Sequence, residues 1–175
     1  MNASTPLPPT EEVWRWLADV PDPEIPVISI TDLGIVREVR YDGDQLVVTV
    51  TPTYAGCPAT EVIADAIRAA MTARGIADTR METRLSPAWT TDWLTPDARR
   101  KLRDYGIAPP VGPAPQEQRI DVSRLGRGRL PAPVVACPRC AATETEMLSQ
   151  SGSTPCKSLY RCTVCLEPFD YFRTH

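Results

Sequence analysis

Four cysteines in the last quarter of the sequence are arranged in two Cys-x-x-Cys pairs. The first pair is Cys137 and Cys140, the second is Cys162 and Cys165, and 21 residues separate the pairs. Four thiolates with this spacing close a tetrahedral shell around one structural zinc ion. Four cysteines also hold a [2Fe–2S] cluster, so an iron–sulfur cluster is the alternative. A closed shell leaves no position for water or substrate, and we therefore expect this module to be structural.

A fifth cysteine and several aromatic residues accompany these pairs. Cys156 is either an additional thiolate that could exchange with the four, or a small apolar filler. So short a segment cannot bury enough apolar surface on its own, so we expect the aromatic residues to cover the metal and form a miniature core. They are Tyr160, Phe169, Tyr171 and Phe172.

Cys57 lies apart from the other five cysteines, within Gly56-Cys57-Pro58 and directly before a predicted helix. The unpaired N–H groups and the dipole of a helix N-terminus favour a thiolate, which makes Cys57 a candidate functional thiol and transient ligand for a metal or cluster. A buried cap residue explains the same position equally well. The one histidine, His175, is the last residue, so a cysteine–histidine protease lacks an internal base.

Two acids flank a proline upstream of this thiol. Asp22 and Glu24 enclose Pro23 in a rigid segment that cannot be helical. Their carboxylates could lie beside Cys57 and help it receive a metal, but the residues alone favour a solvated turn. A further acid, Asp92, is either a functional loop residue or part of a capped turn.

Composition limits the classes of partner. The 175 residues carry a net charge of −3 and are 42% hydrophobic, without the basic surplus of a nucleic-acid-binding protein. We find no signal peptide and no apolar run long enough for a membrane span. We therefore expect a cytoplasmic protein with no nucleic-acid or membrane partner, in which six reduced cysteines serve as metal ligands or reactive thiols.

The elements that would position these residues are predicted in the order α-β-β-α-β-α. Thr10 is the predicted cap of the first helix, and Asp-Gly between two alternating runs predicts a hairpin. Apolar residues at helical spacing predict the helix after Pro58. The predicted strands of the hairpin are 35–41 and 45–51, the following helix is 59–74, a third strand follows near residue 81, and a short helix opens at Thr95-Pro96-Asp97.

This pattern predicts an α+β fold, in which a small α-β-β-α-β-α domain is followed by a four-cysteine, zinc-ribbon-like module. The predicted α+β domain covers residues 10–108 and the module covers 134–175. Residues 109–133, rich in proline, glycine and arginine, are the predicted linker.

Three segments of the first domain resemble the small iron–sulfur assembly domain of SufT-like and cytosolic Fe–S targeting factors. They are Asp22-Pro23-Glu24-Ile25, Asp32-Leu33-Gly34-Ile35-Val36 and Thr53-Tyr54-Ala55-Gly56-Cys57-Pro58. The resemblance implies that Cys57 is the functional residue and that Asp22 and Glu24 form the family's acidic turn.

Further motifs, together with the cysteine tail, resemble the PaaD family, also called PaaJ, of the bacterial phenylacetyl-CoA epoxidase system, from about Trp14 to His175. These motifs are Pro87–Trp93, Tyr105–Pro110 and Gly152–Cys162. The resemblance implies an accessory subunit of this multicomponent monooxygenase in aerobic phenylacetate degradation, maturing the oxygenase or reductase or delivering iron or Fe–S to them. An electron-transfer or scaffolding subunit is the alternative.

The resemblance also implies the partners, which are the oxygenase and reductase subunits and the Fe–S assembly machinery. A homodimer is left open. The chain has no nucleotide-binding loop and no Glu-x-x-His pair for a di-iron site, so we do not expect it to be catalytic itself.

Overall fold

The computed structural model describes residues 7–54, 56–112, 114 and 133–174 of the chain. The chain forms two compact units, Met1–Lys101 and Leu102–His175. This division precedes the boundary at residue 108 predicted from the sequence. Most of the predicted linker, residues 109–133, lies outside the described residues.

The first unit has the predicted α+β element order. Its elements are α1 (Thr10–Leu17), β1 (Val36–Asp42), β2 (Gln45–Val50), α2 (Ala59–Thr72), β3 (Thr79–Thr83), a 3₁₀ turn (Thr91–Trp93) and α3 (Pro96–Asp104), which runs across the division between the units. The Asp-Gly turn makes β1 and β2 an antiparallel hairpin, and Gly43 in it has φ +61°. The predicted α+β fold is confirmed.

The central strand of the three-stranded sheet is β2. It pairs antiparallel with β1 and parallel with β3, so α2 is the crossover between two parallel strands. Leu46, Val48 and Val50 of β2 are buried, as are Val13 of α1 and Ile67 of α2. Because β2 is the central strand and is buried, its end is held firmly in place. The loop that contains Cys57 begins at this end of β2.

The helix caps agree with the sequence prediction at one helix and differ at another. Thr95 caps α3, because its Oγ1 accepts a hydrogen bond of 3.0 Å from the N–H of Ala98. The prediction that Thr10 caps α1 is wrong: Pro9 is the N-cap, Thr10 is the first helical residue, and no side chain caps the helix. Pro9 is extended, with φ −64° and ψ 150°, and already directs the chain into the helix.

Hydrogen bonds and an ion pair connect the segment after β3 to the turn at residues 32–34. The Trp89 indole N–H donates to the Leu33 carbonyl at 2.9 Å, and Trp89 is buried. The Lys101 ammonium lies 2.7 Å from the Asp32 carboxylate, and the Thr95 N–H donates to the Asp32 carbonyl at 3.1 Å. The loop and α3 therefore hold this turn in place. The next residue, Ile35, accepts a hydrogen bond at its carbonyl from the N–H of Thr51 at 2.8 Å.

Gly34 makes this close packing possible, and Gly34→Ala should lower the free energy of unfolding by roughly 2–4 kcal/mol. Its φ is +69°, and a Cβ there would lie 2.7 Å from the Cβ and 2.9 Å from the carbonyl oxygen of Trp93. Gly43→Ala is the matched control, because Gly43 also has positive φ but no atom within 4 Å of a Cβ. We expect urea unfolding to show the smaller loss, about 1–2 kcal/mol, for the control. Equal losses would contradict the packing argument.

The second unit contains the strands β4 (Ile107–Ala108), β5 (Thr145–Ser149), β6 (Lys157–Cys162) and β7 (Pro168–Phe172). They form a four-stranded sheet in the order β4-β7-β6-β5. Because β4 pairs with β7, Ile107 and Ala108 belong to this second sheet.

The miniature core predicted for this unit is present with Tyr160, Phe169 and Tyr171, whereas Phe172 is buried outside that cluster. The Tyr160 ring stacks on Phe169 at a centroid distance of 5.9 Å and meets Tyr171 edge-on at 5.6 Å. Val135 and two of the paired cysteines, Cys137 and Cys162, belong to the same buried cluster. The aromatic core therefore lies directly against the cysteine group.

Candidate metal centre and thiol site

The structure brings the four paired cysteines together. All four Sγ atoms lie within 4.8 Å of one another, with 3.7 Å between Cys137 and Cys165 and 3.6 Å between Cys140 and Cys162. Thiolates about 2.3 Å from one tetrahedral ion are separated by about 3.8 Å. The distances across the two pairs therefore fit a single metal ion. Among the described residues, these four form the one group of three or more potential metal ligands.

Two tight turns with similar backbones hold these thiols. Ala141 (φ +61°) and Leu166 (φ +65°) each follow the second cysteine of a pair and adopt the left-handed conformation that non-glycine residues rarely take. The Ala141 N–H donates to the Cys137 carbonyl at 2.9 Å, and the Cys165 N–H points at the Cys162 Sγ at 3.4 Å. In the second turn a backbone N–H thus points at the sulfur of Cys162, which favours the thiolate of that residue.

The thiols have unequal acidity before a metal binds. The backbone N–H groups of Cys165 and Val164 stabilise the Cys162 thiolate and lower the pKa of Cys162 to about 7. The backbone N–H of Ala142 favours the Cys140 thiolate, but burial and the three neighbouring thiols raise the pKa of Cys140 to about 12. Burial and the Cys162 thiol also raise the pKa of Cys165, despite the N–H of Glu167. A cation is needed to keep all four groups ionised together.

Metal uptake should therefore release at least two protons per ion near pH 8, from Cys140 and Cys165, whose pKa values are raised. Their protons compete with the metal, so the affinity should fall as the pH falls. Calorimetric titration of the metal-free protein in two buffers with different ionisation enthalpies measures the number of protons. Release of less than one proton per ion would show that the thiolates exist before the metal arrives.

Cys156 lies outside this group of four. It is buried in the segment before β6, and its Sγ is 3.0 Å from the Thr154 hydroxyl. Its carbonyl accepts a hydrogen bond of 3.0 Å from the N–H of Arg173. The position supports the interpretation of Cys156 as a packing residue.

Cys57 is placed beside the start of α2, as predicted. The helix begins at Ala59 with Pro58 as its N-cap, and Cys57 directly precedes the cap and is half-buried. Its N–H donates to the Tyr54 carbonyl and its carbonyl accepts from the Thr60 N–H, both at 3.2 Å. Gly56 has φ +83° and no atom within 4 Å of the position of a Cβ. The backbone before the thiol is therefore open to an approaching group.

The acidic turn differs from the solvated turn that its residues favoured. Asp22 is buried, and its Oδ1 accepts hydrogen bonds from the N–H groups of Glu24 at 2.9 Å and Ile25 at 2.8 Å. Its carboxylate therefore organises the turn, while Glu24 is half-buried. Within the described part of the chain, Cys57, Asp22 and Glu24 do not form a group of three potential ligands. Their shared role stays a prediction.

The other candidate acid, Asp92, lies in a capped turn. It is exposed in the 3₁₀ turn, where its N–H donates to the Thr90 Oγ1 at 3.3 Å. Sequence reasoning gave no role to Asp32, which joins Ser29, Thr95 and Lys101. Burial would raise its pKa, but the Lys101 ammonium and the Ser29 N–H hold the pKa of Asp32 below its usual value. The Asp-Leu-Gly motif was the available signal, although its partners are remote in sequence.

Comparison with known proteins assigns each unit to a family model. Residues 10–80 match the model described as iron-sulfur cluster assembly protein, and residues 124–173 match the PaaD zinc beta ribbon domain.

The described helices include none that is long and apolar enough to cross a membrane.

One similar protein extends over both units. It is a protein of Escherichia coli K12, provisionally assigned as the D component of 1,2-phenylacetyl-CoA epoxidase; it is 52% identical over 95% of this chain and 93% of its own length. Two shorter relatives match 53% of this chain. They are an Fe-S protein maturation auxiliary factor of Porphyromonas gingivalis W83, 33% identical over 89% of its length, and the corresponding factor YitW of Bacillus subtilis 168, 34% identical over 91%.

Proposed function

The chain belongs to the PaaD family of phenylacetyl-CoA epoxidase components, and from this premise we propose that it is a maturation factor of that multicomponent oxygenase. In this proposal it delivers iron or an Fe–S cluster to the oxygenase or the reductase in the cytoplasm. The delivered iron is cargo. In this proposal the first unit carries out the delivery. Two Fe-S protein maturation factors are similar to about half of this chain.

The observation that carries this proposal is the position of Cys57. The thiol lies directly before the N-cap of α2, and no atom lies within 4 Å of the position of a Cβ at the adjacent Gly56, so the backbone there is open. A half-buried cysteine at such a position can bind a soft metal or a cluster and then release it. This is the chemistry that a transfer site requires.

The acidic turn has a supporting role in the proposal. The Asp22 carboxylate is engaged by two backbone N–H groups, so it is suited to fixing the turn. In this proposal Glu24, which is half-buried in the same turn, contacts the cargo or the client. Asp22 and Glu24 thus have separate tasks, with Asp22 as the positioning residue.

We also propose that the four-cysteine group holds one zinc ion. All four Sγ atoms lie within 4.8 Å of one another, which suits one tetrahedral ion, whereas a [2Fe–2S] cluster would hold two pairs of thiolates farther apart on two irons. We expect elemental analysis of the purified protein to find one zinc per chain and a colourless solution. Stoichiometric iron with thiolate-to-iron absorption would favour the electron-transfer alternative.

Transfer in a purified system tests the delivery proposal. The chain is loaded anaerobically with radioactive iron and sulfide and is mixed with metal-free reductase or oxygenase. We expect a client to gain iron and activity faster than from free iron and sulfide at the same concentrations. Equal rates from the loaded chain and from the free ions would contradict delivery by this chain.

A further inference from the structure

The second unit contains a cleft beside the first cysteine turn. Its volume is about 610 Å³, within the usual range for ligand sites. Pro109, Pro110 and Val111 line it on one side, and Ala136 and Pro138 line it on the other. The walls are therefore largely apolar, and the prolines among them provide no backbone N–H groups.

Two arginines lie in the described lining of the cleft. Arg103 and Arg139 are the charged members of its described lining, which contains no acid. Arg139 reaches outward to Glu167 at 2.9 Å and its side chain is 67% exposed. Arg103 is exposed and forms no ion pair with any described residue. An approaching carboxylate would therefore meet an unpaired guanidinium group beside an apolar wall.

The apolar walls and the two arginines favour some occupants of the cleft over others. Residues 115–132 of the chain itself contain four arginines and two acids, so their net charge is positive and the two arginines of the cleft would repel them. A nucleic acid would need aromatic rings for stacking, and the described lining has none. An extended peptide can place apolar side chains against proline and valine and direct its carboxylates at the arginines.

We propose that this cleft binds an extended, acidic segment of a client protein. The identity of the partner as a client rests on the proposed maturation function, whereas the binding itself does not. Cys137, a member of the four-thiol group, also lines the cleft. The bound segment would therefore lie against the first cysteine turn, and the folded ribbon would serve as the recognition module of the protein.

Fluorescence anisotropy with the full, metal-loaded chain tests this binding. The probe is a dye-labelled peptide of alternating glutamate and valine, and its glutamine–valine counterpart is the peptide control. We expect the acidic peptide to bind at low salt and the control peptide to bind at least about tenfold more weakly. Arg103→Glu should weaken binding of the acidic peptide about tenfold, and Arg103→Gln should give a smaller loss in the same direction.

Arg68→Glu is the matched protein control, because Arg68 is an exposed arginine on α2 whose side chain is 46% accessible and does not line the cleft. It should bind the acidic peptide like the wild type. Equal weakening by Arg68→Glu and Arg103→Glu would overturn the proposal. An oligothymidylate that binds more tightly than the peptide, or self-association lost in Arg103→Glu, would also overturn it in favour of a nucleic acid or a second copy.

The test separates this proposal from the maturation function. Cys57→Ala should bind the acidic peptide with wild-type affinity, because Cys57 does not line the cleft. Intact peptide binding without any iron transfer would leave the cleft proposal standing and refute maturation. Iron transfer at the wild-type rate by Arg103→Glu, together with no peptide binding by the wild type, would refute the cleft proposal and leave maturation standing.

Discussion

Cells that produce the Cys57→Ala variant should lose phenylacetyl-CoA epoxidase activity to the level of cells that lack the chain. The change removes the one thiol beside the start of α2 but keeps the backbone hydrogen bonds of residue 57 with Tyr54 and Thr60. We therefore expect the free energy of unfolding to change by no more than about 1 kcal/mol. Epoxidase assays in a strain deleted for the natural gene, with urea unfolding of the purified variant, measure both quantities.

Two matched variants distinguish a metal-binding thiol from a residue that only packs before the helix. Serine is close to cysteine in size but is a poor ligand for soft metals, so Cys57→Ser should be as inactive as Cys57→Ala. Cys156→Ala removes a buried thiol from the other unit and should retain activity. Activity near the wild-type level in Cys57→Ser would show that the residue acts only at the helix start, and the delivery proposal would fail.

Replacing Cys162 with serine should release the metal and unfold the second unit while the first unit stays folded. Cys162 is fully buried, belongs to the aromatic cluster and supplies one of the four thiolates. Structural zinc contributes about 10–16 kcal/mol of apparent binding free energy in small modules, which is comparable to the whole stability of a domain. Amide NMR spectra and metal analysis should show lost dispersion for residues 133–174 and less than one zinc per chain.

The contrasting variant for this prediction is Cys156→Ser, which leaves the four thiolates in place. It should keep one metal per chain and a folded second sheet, with a modest loss of stability from a buried hydroxyl. A chelator added to the wild type should reproduce the spectrum of Cys162→Ser. If Cys162→Ser retained stoichiometric metal and the wild-type spectrum, the ribbon would not depend on the four-thiolate group.

Local signals in the sequence were sufficient for the elements near the two sites. The Asp-Gly turn predicts the β1–β2 hairpin because its backbone geometry matches the twist of paired strands, and Gly43 has the required positive φ. The spacing of the cysteine pairs predicts the four-thiol group because each turn is set by residues next to its ligands. These features depend on neighbours in sequence.

Features that depend on remote residues were not predicted. Ile107 and Ala108 are too short a run to indicate a strand, and their partners Asp170 and Tyr171 lie more than 60 residues away. The burial of Asp22 was missed because a proline-flanked acid resembles a surface turn, whereas its carboxylate accepts two backbone hydrogen bonds. The network around Asp32 similarly depends on Lys101, which lies in α3 and is remote from Asp32 in sequence.

In the proposed function, this chain supplies iron or clusters to the oxygenase or the reductase. The most direct measurement is the iron and acid-labile sulfide content of the oxygenase and reductase purified from cells with and without the chain. We predict that at least one of them is metal-deficient without it, in proportion to its lost activity, and that Cys57→Ala does not restore the content. Fully loaded oxygenase and reductase in cells without the chain would contradict maturation and favour a scaffolding or electron-transfer role within the complex.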